Sequence, residues 1–143
     1  MDSVAAPEDL HQSLRLLRRQ PPFSIVLVQI DPGPPLDPVG AAELEGLIER
    51  LFGPRCWRLQ VGRYLGVHVG TDEVRPKAEA LRRAIGERRG RTVSLGLALP
   101  RADLGALDLL LRAEQALLAA RKAGGNRVEL AVKDATNRTR RRP

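Results

Sequence analysis

The stretch that decides the fold is Arg91-Thr-Val-Ser-Leu-Gly-Leu-Ala-Leu99, followed after a short linker by Leu110-Leu-Arg-Ala-Glu-Gln-Ala-Leu-Leu-Ala-Ala-Arg-Lys-Ala-Gly-Gly-Asn-Arg-Val128. Its first part alternates with period two, so Val93, Leu95, Leu97 and Leu99 share one buried face of a strand. The second part carries leucine and alanine on a broad face, which predicts a helix from about Asp103 to Ala123. Gly124-Gly125 supplies a left-handed cap, and Asn126 to Val132 reads as a last strand.

Upstream lies Leu59-Gln-Val-Gly-Arg-Tyr-Leu-Gly-Val-His-Val-Gly70, two alternating strands joined at Gly62-Arg63. A glycine-first pair suits a type II′ hairpin and puts Arg63 at its tip. Trp57, Leu59 and Val61 face one way, matched by Leu65, Val67 and Val69 on the return. Thr71 is placed as the cap of a helix bearing Val74, Ala78, Leu81 and Ile85. Phe23-Ser-Ile-Val-Leu-Val-Gln-Ile-Asp31 is nearly continuous in apolar residues, as in a central strand covered on both faces. Asp37-Pro38 then gives an N-cap and a first-turn proline for a helix with Leu44, Leu47, Ile48 and Leu51, stopped by Gly53-Pro54. A short helix from Pro7, with Leu10, Leu14 and Leu17 on one face, precedes Gln20-Pro-Pro22. This order predicts an α/β (α+β) chain with a palm or ferredoxin-like βαββαβ core, its antiparallel central sheet carrying helices on one face.

Composition bounds the rest. At 143 residues and 43% hydrophobic content the chain suits one core. We divide it into a domain at 1–133 and a basic disordered tail at 134–143, which holds Arg138, Arg140, Arg141 and Arg142. Lysines and arginines number 24 against 17 acids, a formal net charge of +7. Such a chain attracts polyanions, but with aromatics at 3% it lacks rings on which single-stranded bases could stack. Nucleic-acid binding through the basic surface and tail is therefore a subordinate expectation. Cys56 is the lone cysteine and reads as a small buried hydrophobe. His11 and His68 lack metal-ligand spacing, and Ser94 lacks a nucleophile elbow. With no apolar run of about 18 residues, the expectation is a cytoplasmic protein that does not insert into a membrane.

Thr92-Val-Ser-Leu-Gly-Leu-Ala98 with the Leu110 to Val128 segment closely resembles the end of GGDEF domains, the palm-like domains of diguanylate cyclases. In that family the pattern runs TVSIGVA and then LLxxADxALYxAKxxGRNRV. The resemblance implies that the turn after Gln60 occupies the place of Gly-Gly-Asp-Glu-Phe. Here that place reads Val61-Gly-Arg-Tyr-Leu65, which keeps only the second glycine, Gly62. The family's strand end Leu-Asp-Ile-Asp corresponds to Val28-Gln-Ile-Asp31, so its metal-binding aspartate is matched by Gln29 and its second by Asp31.

Other family features are also replaced. Pro32-Gly-Pro-Pro35 stands where a Phe-Lys-x-x-Asn-Asp segment leads to the guanine-binding residues. The phosphate-binding lysine of the last helix is matched by Arg121, the later arginine by Gly125. Gly53-Pro-Arg-Cys-Trp-Arg58 lacks the inhibitory Arg-x-x-Asp signature.

Two divalent cations on a triphosphate need several converging carboxylates. Gln29 is a neutral donor, Arg63 a fixed cation, and Tyr64 uncharged near neutral pH. The expectation is a degenerate former active site at Gln29, Asp31, Gly62, Arg63 and Tyr64, without catalytic residues, metal or cofactor, in which Arg63 pairs with Asp31. The chain would then be a regulatory or scaffolding interaction module in bacterial signalling, binding a protein partner or pairing as a homodimer. An alternative reading makes it a non-turnover sensor of a guanine nucleotide or cyclic dinucleotide, with Arg63 and Arg121 as phosphate contacts.

Overall fold

The computed structural model describes residues 4–5, 22–60, 62–69 and 73–131. The expected helix from Pro7, with His11, the cap at Thr71 and the tail at 134–143 lie outside the described residues. In chain order the elements are β1 (Val4–Ala5), β2 (Phe23–Ile30), α1 (Pro38–Phe52), β3 (Cys56–Gln60), β4 (Arg63–Val69), α2 (Val74–Arg89), β5 (Val93–Ala98), α3 (Ala106–Lys122) and β6 (Val128–Leu130). They build one sheet in the order β1-β3-β4-β2-β5-β6. The four inner strands are antiparallel, as expected. Both edges are parallel: β6 runs with β5, and the two-residue β1, not foreseen from the sequence, runs with β3.

Alternation along β2 splits the core. Val26 and Val28 point toward α1 and α2, where Leu44, Ile48, Phe52, Leu81 and Ile85 meet Val93, Leu95 and Leu97. Ile25 and Leu27 point the other way, toward Leu109, Ala113 and Leu117 of α3. The helices therefore cover both faces, which corrects the one-faced expectation. This also explains why β5 is buried along its whole length: its second face, Ser94-x-Gly96-x-Ala98, is small because α3 lies directly on it. A Cβ at Gly96 would stand 2.9 Å from Leu117 Cα and closer still to the Ala113 carbonyl oxygen.

The punctuation residues act as their chemistry dictates. Asp37 caps α1, its Oδ1 accepting the Gly40 N–H at 2.7 Å, and Pro38 occupies the first turn. Gly53, at φ 104°, closes α1 with its N–H on the Glu49 carbonyl. Glu73 stands at the N-cap position of α2, at φ 69° and with no side-chain cap hydrogen bond. Arg88 and Arg89 at the end of α2 reach Glu43 of α1 at 2.9 and 2.7 Å, so that basic end ties the two helices together. These hydrogen bonds, Arg89 first and then Arg88, hold the Glu43 carboxyl below its ordinary range. At the end of α3 the Gly125 N–H reaches the Ala120 carbonyl and the Gly124 N–H that of Arg121. This is a Schellman closure, and Gly124 and Gly125 supply the positive φ it requires.

Candidate functional site at the end of the central strand

Strand pairing brings three residues abreast: Gln29 of β2 lies opposite Arg63 of β4 on one side and Ser94 of β5 on the other. Cross-strand partners share a face, and two-residue alternation from Ile25 and Leu27 makes it the α3 face. α3 answers with Glu114, whose Oε2 is 3.9 Å from Arg63 Nη2. Gln29 Oε1 and Arg63 Nε are buried without a hydrogen-bond partner.

Arg63 is not at the hairpin tip. Gln60 pairs with Arg63, with a register shift between Arg58 and Gln60, so Arg63 is already in the strand, and Gly62, at a positive φ of 78°, precedes it in the turn. The Gly62 carbonyl accepts the Ile30 N–H at 2.8 Å, which fixes the turn against the end of β2.

Asp31 does not pair with Arg63 either. Its carboxylate accepts the Ser94 hydroxyl at 2.6 Å, the Thr92 hydroxyl at 2.6 Å and the Asn126 N–H at 2.8 Å. Its backbone carbonyl accepts Arg91 Nη2 at 2.7 Å. Gly125 closes over it, since a Cβ there would lie 2.9 Å from the carboxyl atoms. Asp31 thus fastens the end of β2 to β5 and to the turn after α3.

Tyr64 follows Arg63 and points to the other face, where it is buried. Its hydroxyl donates to Glu45 Oε2 at 2.9 Å, and the same oxygen accepts Arg58 Nη2 at 2.9 Å and Nε at 3.1 Å. Burial, and then the hydrogen bond to Glu45, push the phenol up to about 12. This triad walls a cleft of about 420 Å³ whose other side is the Pro32–Leu36 loop with Arg91. Neither Arg63 nor Arg121 lines it. Arg121 is exposed near the end of α3, two turns or about 10 Å beyond Glu114.

The remaining candidates are structural. Cys56 is buried, its thiol donates to the Gly53 carbonyl at 3.1 Å, and burial pushes it up to about 12. His68 faces the side opposite Val67, edge-on to Phe52 and 3.0 Å from Lys77 Nζ. Among the described residues no three histidine, cysteine or acidic side chains stand together as a metal cage, and no helix is long and apolar enough to cross a membrane.

The fold matches solved structures over nearly its whole length. The GGDEF domain of DgcB from Caulobacter crescentus, solved with c-di-GMP, superposes with a TM-score of 0.73 at 17% identity, covering 91% of this chain and 90% of that one. The fold is that of a GGDEF domain. The active GGEEF domain of a Vibrio cholerae diguanylate cyclase gives a TM-score of 0.74 at 19% identity, covering 91% of this chain and 99% of that one. Diguanylate cyclase SiaD from Pseudomonas aeruginosa, solved with its activator SiaC, gives 0.68 at 17% identity over 90% of this chain and 59% of that one. No protein-family model and no curated protein matches the sequence. The likeness is one of GGDEF architecture.

Sequence reasoning names Gln29, Asp31, Gly62, Arg63 and Tyr64, and the GGDEF fold gathers them at one sheet end, though on two faces. It misses Glu45, Arg58, Arg91, Thr92, Asn126 and Glu114. A two-residue turn at Gly62-Arg63 would set Arg58 opposite Val67, so the observed Arg58–Tyr64 pairing has no signal in the alternation, and Glu45 and Glu114 sit on helices whose seating over the sheet is tertiary.

Proposed function

We propose that this chain is a GGDEF-fold domain without cyclase chemistry that works as a regulatory interaction module in bacterial signalling. One observation carries the reading: the sheet end that would cradle metal-bound triphosphate presents a neutral amide at Gln29 beside the guanidinium of Arg63, while the carboxylate of Asp31 is engaged by three donors. Paired Mg²⁺ ions want several free hard anionic oxygens, and a fixed cation in their place repels them. The donor set does not fit such a pair. That SiaD was solved with a protein activator supports the interaction half of the reading.

The test is direct. Full-length protein incubated with GTP and Mg²⁺ or Mn²⁺ should yield no cyclic dinucleotide by chromatography, and steady product formation would overturn the reading.

A second reading, a sensor that binds a guanine nucleotide or cyclic dinucleotide without turnover, has its own support. The cleft of about 420 Å³ beside Tyr64 falls within the size range of small-molecule sites. A rise in melting temperature with GTP or c-di-GMP would favour it, and indifference to both leaves the interaction module alone.

A further inference from the structure

The cleft beside Tyr64 contains one cation without an ion pair. Arg91 lines it and donates from Nη2 to the Asp31 carbonyl at 2.7 Å, but among the described residues no acidic side chain forms a salt bridge with it. The other charged groups there are engaged: two Arg58 nitrogens fall on Glu45 Oε2, and the Asp31 carboxylate is held by Thr92, Ser94 and Asn126. Arg91 is also built into the loop above it. Gly33, at a φ of 151° that side chains rarely adopt, lies over the guanidinium, and a Cβ there would stand 3.0 Å from Nη2. The remaining wall is apolar, with Ile30, Pro34, Pro35, Leu36 and Ala41, and its prolines fix the backbone of the loop.

We propose that this cleft binds a small organic monoanion with an apolar body, a carboxylate on an aliphatic or aromatic frame, with its charged group on Arg91 and its body against the prolines and Leu36. Arginine is a forked donor that matches a carboxylate, and the guanidinium has further N–H groups beyond the one given to Asp31. A partly buried cation gains more from a counter-ion than one in open water. An apolar wall with a few placed polar groups is the usual make-up of a small-molecule site, and a loop already rigid loses little freedom on binding. A nucleoside triphosphate fits less well, because its several negative charges would meet a single unpaired arginine beside the Glu45 carboxylate.

The inference goes beyond the interaction-module reading and competes with the nucleotide-sensor one. It fails separately from both, because it is read by binding of a non-nucleotide and not by cyclic-dinucleotide product. The test is an NMR titration of the isotope-labelled full chain with three probes: phenylbutyrate, its neutral counterpart phenylbutanol, and acetate. Phenylbutyrate should shift the Gly33 and Gly62 N–H signals saturably, with a Kd of about 1–10 mM as suits so small a ligand. Phenylbutanol should bind about fivefold more weakly, and acetate, which has the charge without the body, should not saturate in that range. Arg91→Gln should weaken phenylbutyrate about fivefold and leave phenylbutanol unchanged, which also shows that the cleft is still folded; Arg91→Lys should restore most of the loss. Ala41→Leu, which fills the cleft from α1, should abolish binding of both. No saturable shift at Gly33 and Gly62 below about 20 mM, equal affinity for acid and alcohol, or Arg91→Gln without effect on the acid would each overturn the proposal, as would GTP moving the same signals at lower concentration than phenylbutyrate.

Discussion

Tyr64 carries the clearest signature of its surroundings, because it is the chain's single tyrosine and its phenol is buried with Glu45 as acceptor. Absorbance of the tyrosinate should have a midpoint near 12 in the native protein, against an ordinary value of 10. The folded value is raised, so the stabilisation is complete below about pH 10 and fades as pH climbs toward 12. A native midpoint near 10 would contradict the geometry. Asp31 makes a second prediction. Asp31→Ala strands the buried Ser94 hydroxyl together with its other donors and should cost about 2 kcal/mol in urea unfolding; a change within about 0.5 kcal/mol would mean the three contacts are idle. The polar residue closing an apolar strand is legible in the sequence. Its partners are not, because Thr92, Ser94 and Asn126 follow it by 61, 63 and 95 residues.

At the scale of elements, hydrophobic period and turn chemistry locate β2, α1, β4, α2, β5 and α3 to within a few residues. The Asp37 cap, the Gly53 stop and the double glycine after α3 act where their chemistry puts them. What the period leaves open is how closely two elements approach. Gly96 looks like a neutral interruption in a strand, yet it is where α3 touches the sheet backbone. Gly96→Ala should destabilise the protein by about 2 kcal/mol or more, because the collision is with backbone that no rotamer change relieves. Unfolding in urea with the midpoint unchanged would show α3 seated farther out. The hairpin carries a similar lesson. Gly62-Arg63 satisfies the rule for a glycine-first turn, but Arg63 pairs with Gln60 and so lies in the strand, with a register shift at Arg58/Gln60. Period-two alternation alone does not foresee such an irregularity.

For the whole molecule, the architecture follows from the order of elements, but the use of both sheet faces does not. Small residues on the second face of β5 signal it only once α3 is known to lie there. That placement governs the candidate site: it sends Gln29 and Arg63 toward Glu114 and leaves Tyr64 with Glu45 on the opposite side. The residue types at this sheet end are legible from the chain alone, whereas their division between two faces needs the fold. The proposal that this end does not suit paired divalent cations is tested most directly by growing crystals of the full chain with Mn²⁺ and a non-hydrolysable GTP analogue and mapping manganese by anomalous scattering. The account predicts no anomalous peak beside Gln29 and Arg63; two peaks about 4 Å apart there would contradict it.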